Sequence, residues 1–201
     1  IGVGKTTLAS YLKQELQAEL MLEVFEENPF LKKFYDNRDC YALQTQLFFL
    51  MSRYKQHKAL RQDGSVLVSD YIFAKNDLFA RFTLTGEEHT LYQEMSVALA
   101  SQLATPTLVV VLKASLNVLM DRIAHRGREY EQGVDMREYM DSLVHQYDTF
   151  FADYDASPVL VLNTDNINIV EDLDARGAII KQVTAQFRQI LEEQPTQVPL
   201  F

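Results

Sequence analysis

This 201-residue chain has little of what builds a covalent scaffold, a metal module or a membrane span. Its one cysteine, Cys40, permits no intramolecular disulfide, and the sequence has no cysteine and histidine cluster with zinc-binding spacing. Tryptophan is absent, only five prolines and seven glycines occur, and no apolar run approaches the roughly 20 residues of a membrane span. These absences exclude disulfide-rich, zinc-finger and membrane-spanning proteins, and they favour a reducing, cytoplasmic location.

Basic residues are also scarce relative to acidic ones. Nineteen lysines and arginines face 28 aspartates and glutamates, which leaves a net charge of −9. A surface of this sign repels a phosphate backbone, so we expect no nucleic-acid partner. What the chain does have is 47% hydrophobic and 23% charged residues, as ordinary globular proteins have. No repeat, low-complexity segment or linker divides it, and we expect one domain over residues 1–201.

Short apolar runs alternate with segments of helical periodicity along the chain. Runs rich in valine and leucine predict buried strands at 20–25, 65–69, 107–112 and 159–162. Apolar residues three and four apart predict helices at 5–17, 40–61, 75–81, 87–103, 116–125, 136–151 and 170–193, with a short helix ending at Tyr35. The tail from Gln194 is expected to fray. Strands separated by helices imply right-handed crossovers, so the predicted fold is α/β, a parallel sheet flanked by helices.

The first residues lead into Gly4-Lys5-Thr6, directly before an amphipathic helix. This order matches the end of the phosphate-binding loop G-x-x-x-x-G-K-[ST] (the P-loop), in which backbone N–H groups surround phosphate oxygens. The motif predicts that Lys5 binds the β- and γ-phosphates of ATP and that Thr6 binds Mg²⁺. Gly2 and Thr7 complete the predicted nucleotide-binding set, with Thr7 capping the first helical turn. The alternative is a chance Gly-Lys-Thr at a helix start.

The strand that leads into this loop lies in the middle of the sheet in P-loop folds, and none precedes Ile1 in the printed sequence. Its absence would leave two interior sheet edges unpaired. We therefore expect roughly ten or more further residues before Ile1, which would supply the first, central strand and the front of the loop.

Three arginines, Arg122, Arg126 and Arg128, surround Gly127. Because Arg122 and Arg126 are four residues apart, they share one face of a helix that ends near the glycine. One interpretation is a solvated surface patch. We favour a lid over about residues 122–133, whose guanidinium groups bind ATP phosphates and stabilise the transferring phosphoryl group.

Two acidic residues stand at the ends of predicted strands, Glu23 in the first and Asp70 directly after the second. At the carboxyl ends of parallel strands, both would face the crevice that holds the phosphate loop. A carboxylate within reach of a sugar hydroxyl can accept its proton, which predicts Glu23 as the catalytic base. Asp70 is predicted to orient Mg²⁺, with a helix cap as the alternative.

Two segments resemble those of the deoxyribonucleoside kinases, and within them the bacterial deoxyadenosine/deoxyguanosine kinases. One begins Glu23-Val24-Phe25-Glu26-Glu27-Asn28-Pro29, and the other runs from Arg122 through Arg126-Gly127-Arg128 to Glu131-Gln132-Gly133. The resemblance covers nearly the whole chain and implies a P-loop fold, ATP and Mg²⁺ as cofactors, and a homodimer. It places the catalytic base at Glu23, with Glu26 as the second choice.

The resemblance also implies the residues that hold the nucleoside. Gln46 and Arg53, seven residues apart on the long helix, match the family's base-reading pair. Tyr35 and Glu131 match residues that hold the sugar 3′-hydroxyl, and Asp70 lies in the same crevice. Without the resemblance, Gln46 would be read as a polar residue on an exposed helix face.

Two positions depart from the family's pattern. Tyr71 follows Asp70 where the family usually has an arginine that positions the attacking hydroxyl and the glutamate. Either Tyr71 substitutes by hydrogen bonding, or the charge comes from Arg53, Lys75 or the lid. Asn76 stands where many relatives have an aspartate near the base, and an amide can face a keto or an amino edge by flipping. Base choice therefore stays open at this point.

Residues and resemblance together predict ATP-dependent phosphorylation of the 5′-hydroxyl of a deoxyribonucleoside, with deoxyadenosine and deoxyguanosine as the favoured acceptors. The alternatives are a deoxycytidine or broad-range deoxynucleoside kinase and a nucleoside monophosphate kinase of the thymidylate kinase kind. Glu23 argues against the monophosphate kinase, because its charge would repel an acceptor phosphate. A GTP-dependent switch protein would show an Asn-Lys-x-Asp element, whereas Asn163-Thr164-Asp165 has no lysine.

Overall fold

The computed structural model describes residues 1–60, 64–133 and 135–193. The helices are α1 (Lys5–Leu16), α2 (Leu31–Asp36), α3 (Arg38–Lys58), α4 (Lys75–Thr83), α5 (Gly86–Ala100), α6 (Leu116–Arg126), α7 (Met136–Ala152) and α8 (Leu173–Glu193). The strands are β1 (Glu19–Met21), β2 (Leu67–Ser69), β3 (Val109–Lys113) and β4 (Val159–Asn163). The expected fraying tail from Gln194 lies outside the described residues. None of the described helices is both long and apolar enough to cross a membrane.

The four strands form two parallel pairs, which confirms the predicted α/β class. Glu19 lies opposite Leu67 in the β1–β2 pair, and Val109 lies opposite Val159 in the β3–β4 pair. A cavity of about 1060 Å³ separates the pairs, and residues of both β2 and β3 line it. Among the described strands, none pairs with both β2 and β3. The central strand expected there stays a prediction.

Two apolar clusters hold these elements together. The larger one lies among α2 to α7 and buries Leu50, Tyr92 and Ile123 almost completely. The smaller one packs Leu8 of α1 against Val183 of α8 and the apolar side chains of β3 and β4. Each buried side chain of this size contributes about 1.5–3 kcal/mol. The smaller cluster therefore fixes α1, which begins at the phosphate loop, against α8 and the β3–β4 pair.

The first strand is shorter than the sequence predicts, because the backbone beyond it bonds to a side chain of the candidate site and not to a neighbouring strand. β1 ends at Met21, whereas the apolar run suggests a strand to Phe25. The N–H of Glu23 donates to Oδ1 of Asp70 at 2.9 Å, so it makes no ladder bond to a neighbouring strand. This contact holds the backbone of Glu23 beside Asp70, the residue directly after β2.

The last helix begins at Leu173, and the predicted start at Val170 is wrong. The Asn168 Oδ1 accepts the N–H of Val170 at 3.1 Å, which forms a side-chain turn before the helix. Asp172 then accepts the N–H of Ala175 at 2.9 Å, as a residue at a helix start does. The spacing of the apolar residues does not indicate where α8 begins, because the turn before it is formed by asparagine and aspartate side chains.

Candidate active site

The phosphate loop enters α1 through two glycines with positive φ. Gly2 has φ 72° and Gly4 has φ 95°, a region that residues with a Cβ rarely adopt. A Cβ on Gly2 would also lie only 3.1 Å from Cγ1 of Ile123. Gly4 occupies the position before the first helical residue, so the expectation that Thr7 caps the helix is wrong. The loop therefore presents backbone N–H groups at a helix start, as an anion-binding loop does.

Lys5 begins α1 and lies near two carboxylates. Burial lowers the pKa of Lys5, while the negative charges of Glu23 and Asp70 act in the opposite direction. The phosphate loop, the end of β1 and the end of β2 thus meet at one place, as predicted. A partly buried ammonium on the first residue of the helix that follows the phosphate loop suits a multiply charged anion, which would replace the water that burial removes.

Thr6 and Asp70 meet directly beside this lysine. Thr6 Oγ1 donates to Asp70 Oδ2 at 2.5 Å, so a hydroxyl and a carboxylate stand side by side. Hard oxygen donors of this kind suit Mg²⁺, which usually takes one or two protein ligands and completes its shell with water and phosphates. Within the described residues, no group of three or more His, Cys, Asp or Glu side chains could hold a metal. The pair fits a phosphate-bound magnesium and not a caged metal ion.

Two cations hold the carboxylate of Glu23. Arg53 donates to Oε1 through Nε at 2.9 Å and again through Nη2. Lys75 Nζ lies 3.1 Å from Oε1 and 2.9 Å from Oε2. Burial alone would raise the pKa of Glu23, but Arg53 and Lys75 outweigh it and hold that pKa well below its usual range. Glu23 is therefore ionised at neutral pH, and Oε2 accepts fewer hydrogen bonds than Oε1.

Tyr71 does not contact this carboxylate through a hydrogen bond. Its hydroxyl donates to Oε1 of Gln56 at 2.9 Å, and its ring lies under the guanidinium of Arg53. Of the alternatives left open by the sequence, the described contacts therefore favour Arg53 and Lys75 as the source of positive charge at Glu23.

The predicted base-reading residues lie together on the buried faces of α3 and α4. Gln46 and Arg53 are each 2% exposed, and Asn76 is fully buried. Arg53 donates through Nη1 to Oδ1 of Asn76. The Nδ2 of Asn76 has no hydrogen-bond partner in the described part of the chain. The reading of Gln46 as an exposed helix residue is thus excluded, and a buried donor remains for an added ligand.

Tyr147 is a residue near this site that the sequence reasoning missed. It lies on α7, its ring is 6.3 Å from that of Phe79, and burial raises its pKa, with Glu23 adding to the rise. Its spacing of four residues from the buried Leu143 was the available signal, because it places both on one helix face. Tyr147 and Phe79 together form an aromatic wall close to the Glu23 carboxylate.

The predicted sugar-binding residues approach each other across α2 and the segment after α6. Burial raises the pKa of Tyr35 well above its ordinary value, and the nearby charge of Glu131 adds to the rise. Glu131 is 3% exposed and accepts a hydrogen bond from Arg126 at 2.5 Å. Arg128 lies 3.6 Å from the same carboxylate and over the ring of Phe25. Two of the three predicted lid arginines therefore converge on Glu131.

Arg122, the third predicted lid arginine, is not brought together with the other two. Its Nη2 donates to the carbonyl oxygens of Thr164 at 2.6 Å and Ile167 at 3.0 Å. Its Nη1 donates to Oγ1 of Thr164 at 3.1 Å. In this conformation Arg122 ties α6 to the segment after β4, and its role as a phosphate ligand stays a prediction.

Comparison with known proteins identifies the family of this chain. A model of the deoxynucleoside kinase family matches residues 1–188. The chain is 35% identical to a deoxyguanosine kinase of Bacillus subtilis, over 91% of this chain and 93% of that one. It is 26% identical to a deoxyadenosine/deoxycytidine kinase of the same species, over 92% and 88%. A structure of deoxyadenosine kinase from M. mycoides with dCMP and dCDP bound has the same fold, with a TM-score of 0.77 at 22% identity over 94% and 95%. The chain therefore belongs to the deoxynucleoside kinase family and is a kinase.

Proposed function

We propose that this kinase transfers the γ-phosphate of ATP, in the presence of Mg²⁺, to the 5′-hydroxyl of a purine deoxynucleoside, with deoxyguanosine as the preferred acceptor. The observation that carries the proposal is the partly buried carboxylate of Glu23, which is near Lys5 of the phosphate loop and is bonded to Arg53, which also bonds to Asn76. The Glu23 carboxylate is thus near both the phosphate-binding residues and the base-binding residues. The names of the two Bacillus subtilis relatives support a nucleoside acceptor.

On the donor side, catalysis is positioning and charge stabilisation. Lys5 and the backbone of Gly2 and Gly4 would hold the β- and γ-phosphates, while Arg126 and Arg128 would approach as part of a lid. Both arginines now pair with Glu131, and triphosphate oxygens would compete with that carboxylate for them.

Thr6 and Asp70 would hold the metal, which supplies positive charge to the transferring phosphoryl group. Lid closure would exclude water, which otherwise competes as acceptor.

On the acceptor side, Glu23 would receive the 5′-hydroxyl. Because Arg53 and Lys75 keep it ionised, Glu23 orients the hydroxyl by accepting its hydrogen bond. The O–H proton becomes acidic only as the oxygen bonds to phosphorus, and Glu23 then takes it. Tyr35 and Glu131 would hold the sugar 3′-hydroxyl, and the aromatic wall of Phe79 and Tyr147 would pack on the base.

The preference for guanine follows from the direction of the Asn76 amide. A guanidinium has only donors, so its bond with Asn76 requires the amide oxygen to face Arg53. The amide nitrogen then faces away as a buried donor without a partner in the described chain. Guanine offers two adjacent acceptors, O6 and N7, whereas adenine places an amino donor next to N7 and cytosine presents an amino donor. A keto purine therefore satisfies this site best.

Assembly and location also belong to this proposal. Partly exposed apolar side chains on two neighbouring helices, Met51 on α3 with Leu91 and Met95 on α5, would be covered in a homodimer. We expect a cytoplasmic enzyme, since ATP and a reduced Cys40 suit that compartment.

A coupled phosphorylation assay on the full-length protein tests the proposal. Deoxyguanosine, deoxyadenosine, deoxycytidine, thymidine and thymidylate would be compared as acceptors at fixed ATP and Mg²⁺. The expected result is the highest kcat/KM with deoxyguanosine. A higher value for deoxyadenosine or deoxycytidine would overturn the base preference and leave the reaction in place. Turnover with thymidylate alone, or with none of the five, would overturn the reaction.

A further inference from the structure

Lys75 occupies a place that local helix energetics disfavour. It is the first residue of α4, where the helix dipole is positive and an acidic side chain is preferred. Its side chain is only 13% exposed, so its ammonium is also largely removed from water. A lysine at a helix start is locally unfavourable, and burying its charge costs further free energy, so Lys75 is a candidate for a functional role.

The contacts of Lys75 indicate its function. Both oxygens of Glu23 lie within hydrogen-bond distance of Nζ, at 3.1 and 2.9 Å, whereas Arg53 reaches Oε1 alone. Arg53 by itself would leave the carboxylate free to turn about the Arg53–Oε1 contact. The second cation on Oε2 fixes the plane of the carboxylate, because two anchoring points on different oxygens define its rotation.

We propose that Lys75 is a positioning residue of the transfer step, which holds the plane of the Glu23 carboxylate so that Oε2 meets the acceptor hydroxyl. The inference rests on the proposed phosphorylation of a nucleoside. Oε1 already accepts from three N–H donors, and among the described residues Oε2 accepts from Lys75 alone, so Oε2 has the remaining lone pair. Tyr71 takes no part, because its hydroxyl is bonded to Gln56.

The charges around Lys75 are consistent with this role. Glu23 attracts it, while Arg53 and Lys5 are near enough to repel it. The ring of Phe79 lies 5.3 Å from Nζ on the same helix and offers a weak additional contact. Lys75 thus shares the Glu23 carboxylate with Arg53.

The test compares Lys75→Met, which keeps the length of the side chain and removes its charge, with Lys75→Arg, which keeps the charge. Lys13→Met, at an exposed position of α1, is the matched control. We expect Lys75→Met to lower kcat by about 100-fold with a nucleoside KM within about threefold of wild type. Lys75→Arg should recover at least about tenfold of that loss, and Lys13→Met should behave as wild type.

Thermal unfolding of each variant accompanies the kinetics, because loss of a buried ion pair can also unfold a protein. A kcat for Lys75→Met within about threefold of wild type would overturn the inference. Equal loss in the methionine and arginine variants would also overturn it, because the retained charge would then restore nothing, and a lowered Tm in both would indicate a purely structural role. If wild type itself phosphorylates no nucleoside, the proposed function fails first and this inference with it, and that outcome is distinct because it needs no variant.

Discussion

Arg53 donates to the carboxylate of Glu23 through two guanidinium nitrogens, although the two residues are 30 positions apart in the sequence. The third nitrogen of the same planar group donates to Asn76. A guanidinium is rigid, so a displacement of Asn76 by a poorly fitting base would move the carboxylate that orients the hydroxyl. We therefore expect base identity to change kcat as well as KM.

Replacement of Asn76 by aspartate tests the base preference. In Asn76→Asp, the buried donor becomes an acceptor, so an amino group on adenine or cytosine gains a partner and the O6 of guanine loses one. We expect the ratio of kcat/KM for deoxyguanosine over deoxyadenosine to fall by about tenfold or more. Asn117→Asp, at an exposed position of α6, is the matched control and should leave the ratio unchanged. An unchanged ratio in Asn76→Asp would show that Asn76 does not select the base.

Replacement of Glu23 by glutamine tests the catalytic carboxylate. Glu23→Gln keeps the shape of the side chain but cannot take the proton, so kcat should fall by about 100-fold or more. Nucleoside affinity, measured by isothermal titration calorimetry, should change by less than about tenfold. Glu26→Gln is the control, because Glu26 is exposed and was the second choice from the sequence. Loss of turnover in Glu26→Gln with activity retained in Glu23→Gln would reverse the assignment.

The threonine of the phosphate loop tests the magnesium site. Thr6→Ala removes the hydroxyl beside Asp70, so we expect kcat to fall on the order of 100-fold and the Mg²⁺ concentration for half-maximal rate to rise. Thr6→Ser keeps the hydroxyl and should restore most of the rate. Equal losses in the alanine and serine variants would point to packing of the methyl group and not to a metal ligand.

The pH dependence of kcat/KM should have an alkaline limb set by Lys75. Burial, which Glu23 opposes and to which Arg53 and Lys5 add, lowers the pKa of Lys75 to about 8. As the pH rises through this value the ammonium loses its proton and its hold on Glu23, so kcat/KM should fall. Arginine does not titrate in this range, so Lys75→Arg should move the limb to higher pH. A limb that stays in place would belong to Lys5, whose pKa burial also lowers.

Stability of the phosphate loop should depend on Gly2. In Gly2→Ala, the positive φ and the 3.1 Å approach to Ile123 both oppose a Cβ, so the free energy of unfolding should fall by about 1–2 kcal/mol. Gly177→Ala is the control, since Gly177 lies within α8 and a Cβ there meets nothing within 4 Å. That variant should gain about 0.5–1 kcal/mol. Urea denaturation measures both, and similar values for the two would contradict the assigned loop geometry.

Much of the fold could be predicted because its signals are local. Val109 to Leu112 form an uninterrupted β-branched and apolar run, and β3 is found there. The errors fall where side chains decide a boundary, as Asn168 and Asp172 do before α8. The end of β1 was misplaced because Glu23 bonds to Asp70, 47 positions away. The hydrophobic periodicity of the sequence does not indicate a contact between residues so far apart.

The candidate site also has one part that local sequence signals predict and one part that they do not. Gly4, Lys5 and Thr6 are neighbours in the chain, so their phosphate-binding geometry follows from one short motif at a helix start. The sequence alone thus determined the phosphate loop, the alternation of strands and helices, and the acidic residues at strand ends. It also named Tyr71, Arg53, Lys75 and the lid as substitutes for the family's arginine without deciding among them.

Only the tertiary structure decided how these residues are paired. It placed both cations on Glu23, turned the Asn76 amide oxygen toward Arg53, and directed Arg122 to the carbonyl oxygens of Thr164 and Ile167. The physical reason is that ion pairs and amide orientations depend on side-chain direction and burial across distant segments. Neither property has a local signature, because each is set by which helix packs against which strand.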